Sequence, residues 1–173
     1  MKFSLEKSLG IIEPTPNALI ALLSNLSDDW TTNNEGGNTW TVKETVAHLI
    51  VCEATNWLPR ARTILSKASC KTFEQINMNE HFEMASSNSL HDLLVRFRDL
   101  RIISLNELKS FDLRETDFSK TANHPVIGVV SLQELIASWV THDLSHIAQI
   151  ARIMARQSSG LVGNFKNYLR ILN

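Results

Sequence analysis

The chain has 173 residues, and its 43% hydrophobic and 20% charged content is ordinary for a globular protein large enough to bury its own core. Seventeen basic residues against eighteen acidic ones leave a net charge close to zero, so the composition gives no support for binding to nucleic acid or to an anionic membrane. We therefore expect one domain, residues 1–173, with neither kind of partner.

The N-terminal segment and the cysteines favour a cytoplasmic protein. The first ten residues, MKFSLEKSLG, include Glu6 and lack the sustained apolar run of a signal peptide. Cys52 and Cys70 lack the spacing of a disulfide framework, which suits a reducing compartment. No stretch reaches the run of about 18 apolar residues that a membrane-spanning helix requires.

A first helix is predicted over residues 15–26. Thr15 is suited to cap its start and Pro16 to occupy its first position, after which leucines recur every three or four residues. A turn-rich loop follows, with Gly36 and Gly37 as helix breakers.

A second helix is predicted over residues 42–66. It opens with TVKE, a capping box in which the Thr41 and Glu44 side chains each bond the other residue's backbone N–H. Pro59 lies within this helix and has no N–H to donate, so we expect a kink or a lost backbone hydrogen bond there.

The middle of the chain contains one long helix between two irregular segments. The polar stretch 67–88 is expected to hold a short helix near residues 73–82. Apolar residues with helical spacing then predict a third helix over residues 90–108. The loop 111–130 contains the run VIGVV, which is strand-like but has no evident partner.

A fourth helix is predicted over residues 132–157, because Ser131 and Glu134 form a second capping box. The apolar residues of the C-terminal tail are expected to pack back on the helices. Four helices without repeated strand signals predict an all-α four-helix bundle, a fold whose sites are built from inward-facing side chains of adjacent helices.

Two histidines interrupt the apolar stripe of the fourth helix. His142 and His146 lie one turn apart and point from one face, at a separation that suits a shared metal ion. The alternative is a pair of core histidines that have found hydrogen-bond partners. The stripe consists of residues that step by three or four: Leu132, Leu135, Trp139, His142, His146, Ile150 and Ile153.

His48 is the candidate for a third metal ligand, since it lies in the apolar run AHLIVCE of the second helix. Three histidines from two helices would leave one coordination position open, which is the pattern of catalytic metal sites. The remaining histidines, His81, His91 and His124, lie in polar or loop segments and are expected at the surface.

Four residues close to these histidines in the sequence are considered for supporting roles, and three of them have two interpretations each. Glu44 either supports His48 or serves only the capping box, and Cys52 is either a metal ligand or a small buried apolar residue. Glu53 is either structural or lines the mouth of the site. Asp143 points away from His142 around the helix and is expected to bond a neighbouring helix or loop.

The basic clusters around Arg60 and Arg101 are interpreted as solvated helix faces. Arg60 and Arg62 have an alternative interpretation, as binders of an anionic cosubstrate. The four tryptophans are expected in the core or in an interface: Trp30, Trp40, Trp57 and Trp139.

Two segments together resemble the DinB-like (YfiT-like) four-helix-bundle superfamily. They are TWTVKETVAHLIVCE and, about ninety residues later, LIASWVTHDLSHIAQIAR, which contains the family's H-D-x-x-H-x-x-Q-I pattern. The resemblance covers nearly the whole chain in the order and length of its helices. It implies a bundle of unusual connectivity with long crossovers, and frequent homodimers.

The resemblance also implies a divalent-metal site, commonly zinc or nickel, whose three ligands here are His48, His142 and His146. Some members transfer or isomerise substrates with a low-molecular-weight thiol such as bacillithiol or mycothiol, and others are described only as metal-dependent hydrolases. The resemblance therefore implies a thiol S-transferase acting on a small electrophile, or a hydrolase. The alternative is a non-catalytic, metal-stabilised stress-response or interaction module. No catalytic residue or organic cofactor site is assigned.

Overall fold

The computed structural model describes residues 2–77 and 79–173, most of which are helical. A π-helical turn, Glu53–Trp57, joins α4 to α5. Three short 3₁₀ helices lie at Glu115–Ser119, Gly163–Tyr168 and Arg170–Leu172. The elements in chain order are α1 (Leu5–Ile12), α2 (Thr15–Leu23), α3 (Asp28–Thr32), α4 (Val42–Cys52), α5 (Leu58–Leu65), α6 (Glu80–Ser87), α7 (Leu90–Ser110), β1 (Thr121–His124), β2 (Gly128–Ser131) and α8 (Leu132–Gln157).

The helices form the predicted all-α four-helix bundle. α4 packs against both α7 and α8, while α1 packs on α8 and α2 packs on α7. Long connections run from α5 to α7 and from α7 to α8, and they carry α6 and the two strands. None of the helices within the described residues combines the length and apolarity needed to cross a bilayer.

Both predicted capping boxes are present, and they fix where α4 and α8 begin. Thr41 Oγ1 accepts from the Glu44 N–H at 3.1 Å, and Glu44 Oε2 accepts from the Thr41 N–H at 2.7 Å. Ser131 and Glu134 repeat the exchange at 3.2 and 2.8 Å. α8 therefore has the bounds predicted for the fourth helix, 132–157.

The interruption predicted at Pro59 takes the form of the π-helical turn that directly precedes it. Because proline has no N–H, an α-helix cannot continue its hydrogen-bond pattern through this point. A π turn accommodates one extra residue within a helix without ending it. The predicted helix 42–66 is thus α4, the π turn and α5 in one continuous rod.

Other predicted elements differ from the structure at their edges. α1 was not predicted, although Ser4 Oγ caps it by accepting from the Lys7 N–H at 3.3 Å. The helix predicted over 15–26 ends at Leu23. The short helix predicted near 73–82 lies instead at Glu80–Ser87.

The strand-like run before α8 has a partner, contrary to the prediction that it is isolated. β2 pairs with β1 in antiparallel register, with Thr121 opposite Ser131 and His124 opposite Gly128. Thr72 adds a single parallel bridge to Asn123. The hairpin closes on Gly128, whose φ of 83° is in the left-handed region that glycine adopts without strain.

The C-terminal tail meets the bundle at its last turn. Its final 3₁₀ helix contacts α8, and Leu172 is buried. The prediction that the other apolar tail residues pack on the helices is wrong for Leu161, Phe165 and Tyr168, whose exposed fractions are 87%, 75% and 85%.

Two apolar core clusters are separated by a layer of polar side chains. Ile50 on α4 and Ile150 on α8 belong to one cluster. Trp57 in the π turn and Trp139 on α8 belong to the other. We call the residues between the clusters the polar layer. They are Thr15, His48, Glu53, Arg101, His142, Asp143 and His146.

Candidate metal centre

The structure brings the three predicted histidines together. His142 Nε2 lies 3.2 Å from His48 Nε2 and 3.2 Å from His146 Nε2. Each of the three residues offers one ring nitrogen, and these nitrogens all lie within 4.8 Å of one another. Since α4 packs on α8, a histidine from one helix meets a pair from the other.

Aromatic side chains fix the orientation of the three imidazoles. Trp40 lies just before the α4 cap, and its ring centroid is 4.8 Å from that of His48. The same ring stacks nearly parallel to His146 at 6.2 Å. On the opposite side, Trp57 contacts His142 edge to face at 5.1 Å. His48 is only 5% exposed, and the other two histidines are half-buried.

Gln149 sets the tautomer of His146. The Gln149 Oε1 atom lies 2.8 Å from His146 Nδ1. An amide oxygen only accepts hydrogen bonds, so Nδ1 carries the proton and Nε2 presents a lone pair to the other histidines. This is the usual arrangement around a metal-binding histidine, whose second nitrogen donates to an acceptor.

Burial keeps the imidazoles neutral. Desolvation, followed by repulsion from His146, lowers the pKa of His48 to about 4 and that of His142 to about 3. Desolvation also lowers the pKa of His146. Neutral nitrogens with free lone pairs are the form of histidine that binds a metal ion.

The donor set fits a divalent transition metal. Two imidazole nitrogens at a tetrahedral angle around zinc, with bonds of about 2.0–2.1 Å, lie about 3.3 Å apart. The two measured separations of 3.2 Å match this spacing. The lone pairs of three neutral imidazoles that point at one another repel, unless a proton lies between each pair of nitrogens. A cation bound between the three nitrogens relieves that repulsion.

Cys52 lies beside the three-histidine cluster without joining it. Its Sγ is 3.4 Å from His48 Nε2, but it is not among the atoms that all lie within 4.8 Å of one another. The residue is buried, and desolvation raises the pKa of its thiol to about 12. Cys52 therefore packs as a protonated, small apolar side chain. Glu44 is engaged in the capping box, which is the second of its two interpretations.

The acidic neighbours of the histidines are held by a buried arginine. Arg101 on α7 donates from Nε to Glu53 Oε2 at 3.0 Å, and it binds both carboxylate oxygens of Asp143 at 2.7 and 3.1 Å. It also donates to the Ile12 carbonyl oxygen. Glu53 is thus structural, and Asp143 bonds a neighbouring helix as predicted. Arg101 itself is 1% exposed, so its interpretation as part of a solvated face is wrong.

His81 is the functional candidate that the sequence analysis missed. It was expected at the surface, but it is 1% exposed, with its ring 4.4 Å from Trp40 and 5.5 Å from His48. Its polar flanks hid this, because its packing partners come from elsewhere in the chain. His91 is exposed as expected, and His124 is half-buried with Nδ1 accepting from the Val126 N–H at 3.1 Å.

The two arginines considered as anion binders differ in their environments. Arg62 forms a salt bridge to Glu107 through two hydrogen bonds. Arg60 is half-buried and lies over the Phe73 ring, with its Cζ 5.0 Å from the centroid. Among the tryptophans, Trp57 and Trp139 are buried and stack at 5.6 Å, while Trp30 and Trp40 are half-buried.

Comparison with solved structures identifies a protein of similar fold. The chain is similar in structure to YfiT from Bacillus subtilis, described as a probable metal-dependent hydrolase with an unusual four-helix bundle topology. The TM-score is 0.74 at 17% sequence identity, over 92% of this chain and 90% of that chain. No protein of curated function matches the sequence.

The family assignment depends on a match to a sequence model that spans most of the chain. Residues 11–150, which include His48, His142 and His146, match the model of the DinB superfamily. This chain belongs to the DinB superfamily.

Proposed function

We propose that this chain is a divalent-metal-dependent enzyme, with zinc or nickel held by His48, His142 and His146 and one coordination position left for an exchangeable ligand. The observation that carries the proposal is the convergence of the three Nε2 atoms, with His142 Nε2 3.2 Å from each of the other two. Structural zinc sites use four protein ligands, whereas catalytic sites use three.

The surrounding residues prepare the site for chemistry. Burial keeps the histidines neutral and ready to coordinate. Gln149 orients His146, and Trp40 covers the His48 and His146 rings. When bound, a divalent ion would act as a Lewis acid and lower the pKa of a water or thiol that it holds.

Transfer of a low-molecular-weight thiol to a small electrophile is the reaction that we favour. Water is a much weaker acid than a thiol, so hydrolysis gains more from a side chain that accepts the proton, and the carboxylates closest in sequence to His48 and His142 are committed elsewhere. Glu44 is bound in its capping box, and Glu53 and Asp143 are bound by Arg101. A thiol that ionises on the metal needs no such base.

Hydrolysis is the second candidate, and it is favoured by one comparison. The similar structure from Bacillus subtilis is described as a probable metal-dependent hydrolase. His81 packs beside His48, so it is the first side chain to replace when hydrolysis is assayed.

The first experiment measures metal and then activity on one preparation. The protein is purified without an affinity tag, and bound metals are quantified by inductively coupled plasma mass spectrometry beside His142→Ala and the exposed-residue control His91→Ala. The loaded protein is then assayed for conjugation of monochlorobimane with bacillithiol and several other thiols, and for hydrolysis of a panel of esters and amides. Metal-dependent conjugation supports the proposal. Metal that only raises the melting temperature, with no turnover in either assay, would favour the non-catalytic module.

A further inference from the structure

Arg60 lies close to Cys52, which contacts His48 of the three-histidine cluster, and among the described residues it has no counter-charge. Within the part of the chain that the structure describes, its Nε is buried and has no hydrogen-bond partner, and the guanidinium forms no ion pair. Burial lowers the pKa of Arg60, while hydrogen bonding to Glu107 raises that of Arg62 two residues away. The two arginines thus share a helix but differ in whether an anion accompanies them.

The Phe73 ring packs against one face of the Arg60 guanidinium and fixes its position. Its Cζ lies 5.0 Å from the centroid of the buried Phe73 ring, a cation–π contact that holds the planar group in one orientation. An arginine that is held in place and partly desolvated, but has no counter-charge, is ready to bind a planar anion with two parallel hydrogen bonds.

A row of four side chains on one face of the rod connects Arg60 with the histidines. His48, Cys52, Asn56 and Arg60 follow one another at steps of four residues along the rod formed by α4, the π turn and α5. Cys52 Sγ contacts His48 Nε2 at 3.4 Å, and the charge of Arg60 acts on the Cys52 thiol. Asn56 lies between them, and its buried Oδ1 has no hydrogen-bond partner among the described residues.

These side chains define the shape of a ligand. Its reactive head would be at the metal, and a negative group at the far end would reach Arg60. A helical rise of about 1.5 Å per residue separates the Cα atoms of His48 and Arg60 by about 18 Å, and the long arginine side chain shortens the gap. Asn56 Oδ1 would accept a hydrogen bond from an N–H or O–H group midway.

We propose that Arg60, backed by Phe73, binds the carboxylate of a small organic acid that serves as substrate or cosubstrate at the three-histidine site. This inference rests on the proposed function. A carboxylate is favoured over a phosphate because one guanidinium offers one positive charge and a two-pronged donor set, which match a planar monoanion.

The test uses thiols that differ only at their far end. Cobalt-loaded protein is titrated with mercaptohexanoate and with mercaptohexanol, and thiol binding is followed by the sulfur-to-cobalt charge-transfer absorption. Mercapto acids and mercapto alcohols with shorter and longer chains cover a range of distances between the metal and Arg60. The variants are Arg60→Met and its matched control Arg62→Met, each checked for cobalt uptake and melting temperature.

The wild type and Arg62→Met should bind the best-fitting mercapto acid about tenfold more tightly than the matching alcohol, as expected for one charge-assisted pair. Arg60→Met should bind acid and alcohol alike. An equal preference in Arg60→Met and wild type, or no preference in the wild type at any length, would overturn the inference while leaving the metal site intact.

A failure of the proposed function is distinguishable from a failure of the Arg60 site. If the wild type takes up no cobalt, the proposed function fails at its first step and the inference fails with it. If cobalt binds but no thiol does, thiol transfer is refuted, and the same comparison is made with hydroxamates that carry a terminal carboxylate or hydroxyl. A carboxylate preference that depends on Arg60 in that series supports the site, and its absence refutes it.

Discussion

Arg101 and Asp143 form a two-pronged ion pair inside the bundle, with Nη1 2.7 Å from Oδ2 and Nη2 3.1 Å from Oδ1. Both side chains are at most 2% exposed. The pair links α7 to α8 at the residue next to His142, and Glu53 extends it to the rod that carries His48. The arginine thus ties together the two helical segments that supply the three histidines of the cluster.

Removing this arginine should strongly destabilise the fold. Arg101→Met leaves two buried carboxylates without their counter-charge, and breaking a buried pair in this way costs about 3–5 kcal/mol. Urea denaturation should show this loss, while Arg96→Met, on an exposed part of the same helix, should change the free energy of unfolding by less than about 0.5 kcal/mol. Adding Asp143→Asn to Arg101→Met should recover part of the lost stability. A double variant with a lower free energy of unfolding than Arg101→Met alone would contradict this account.

The three histidines should be required together for metal binding. His48→Ala, His142→Ala and His146→Ala should each lose most of the bound divalent ion, because two remaining nitrogens hold it weakly. Equilibrium dialysis with zinc and with nickel measures this. Retention of one equivalent of metal by any of the three variants would show that its histidine is not a ligand.

Gln149 should matter for metal affinity although it is not a ligand. Gln149→Ala removes the acceptor 2.8 Å from His146 Nδ1, and loss of such a partner weakens metal binding by about tenfold to a hundredfold. A competition titration against a zinc-binding dye gives the affinity. Gln133→Ala on the exposed part of the same helix serves as the control, and equal affinities for the two variants would refute the orienting role.

The metal-free protein should lose stability as the pH falls. The pKa of His48 is lowered to about 4 by burial, below its value of about 6.5 in the unfolded chain. A neutral His48 therefore contributes stability that is fully present above about pH 6.5 and is lost as the pH falls towards the folded-state pKa. His142, with a pKa of about 3, extends the same effect to lower pH.

Urea denaturation of metal-free wild type and His48→Gln checks this pH dependence. The difference in the free energy of unfolding, wild type minus variant, should fall between about pH 6.5 and about pH 4. A difference that stays constant over this window would mean that His48 titrates alike in the folded and unfolded chains.

The sequence predicts the three-histidine cluster well because its signals are local. Capping boxes mark the first residues of α4 and α8, and a four-residue step places His142 and His146 on one face. These patterns depend on neighbours within one or two helical turns. The pairing of His48 with the other two histidines depended on the family resemblance as much as on its apolar flanks.

The features that the sequence did not reveal depend on contacts between distant segments. Arg101 resembles a surface residue within its basic run, and only carboxylates from two other helical segments make its burial tolerable. His81 is buried because Trp40 packs against it. The strand β1, only four residues long, is too short to show a period of two and gains its identity from β2.

The π-helical turn at Glu53–Trp57 determines the angular phase of everything that follows it. In an uninterrupted α-helix, Arg60 would be rotated about 120° around the axis from His48, on a different side of the rod. A π turn fits more residues into each revolution, so it rotates α5 back towards the side of the rod that carries His48. The helical irregularity beside Pro59 therefore acts as a phase correction. Deleting its one extra residue would leave an α-helix in which Arg60 lies about 20° around the axis from His48, so Arg60 would keep its side of the rod.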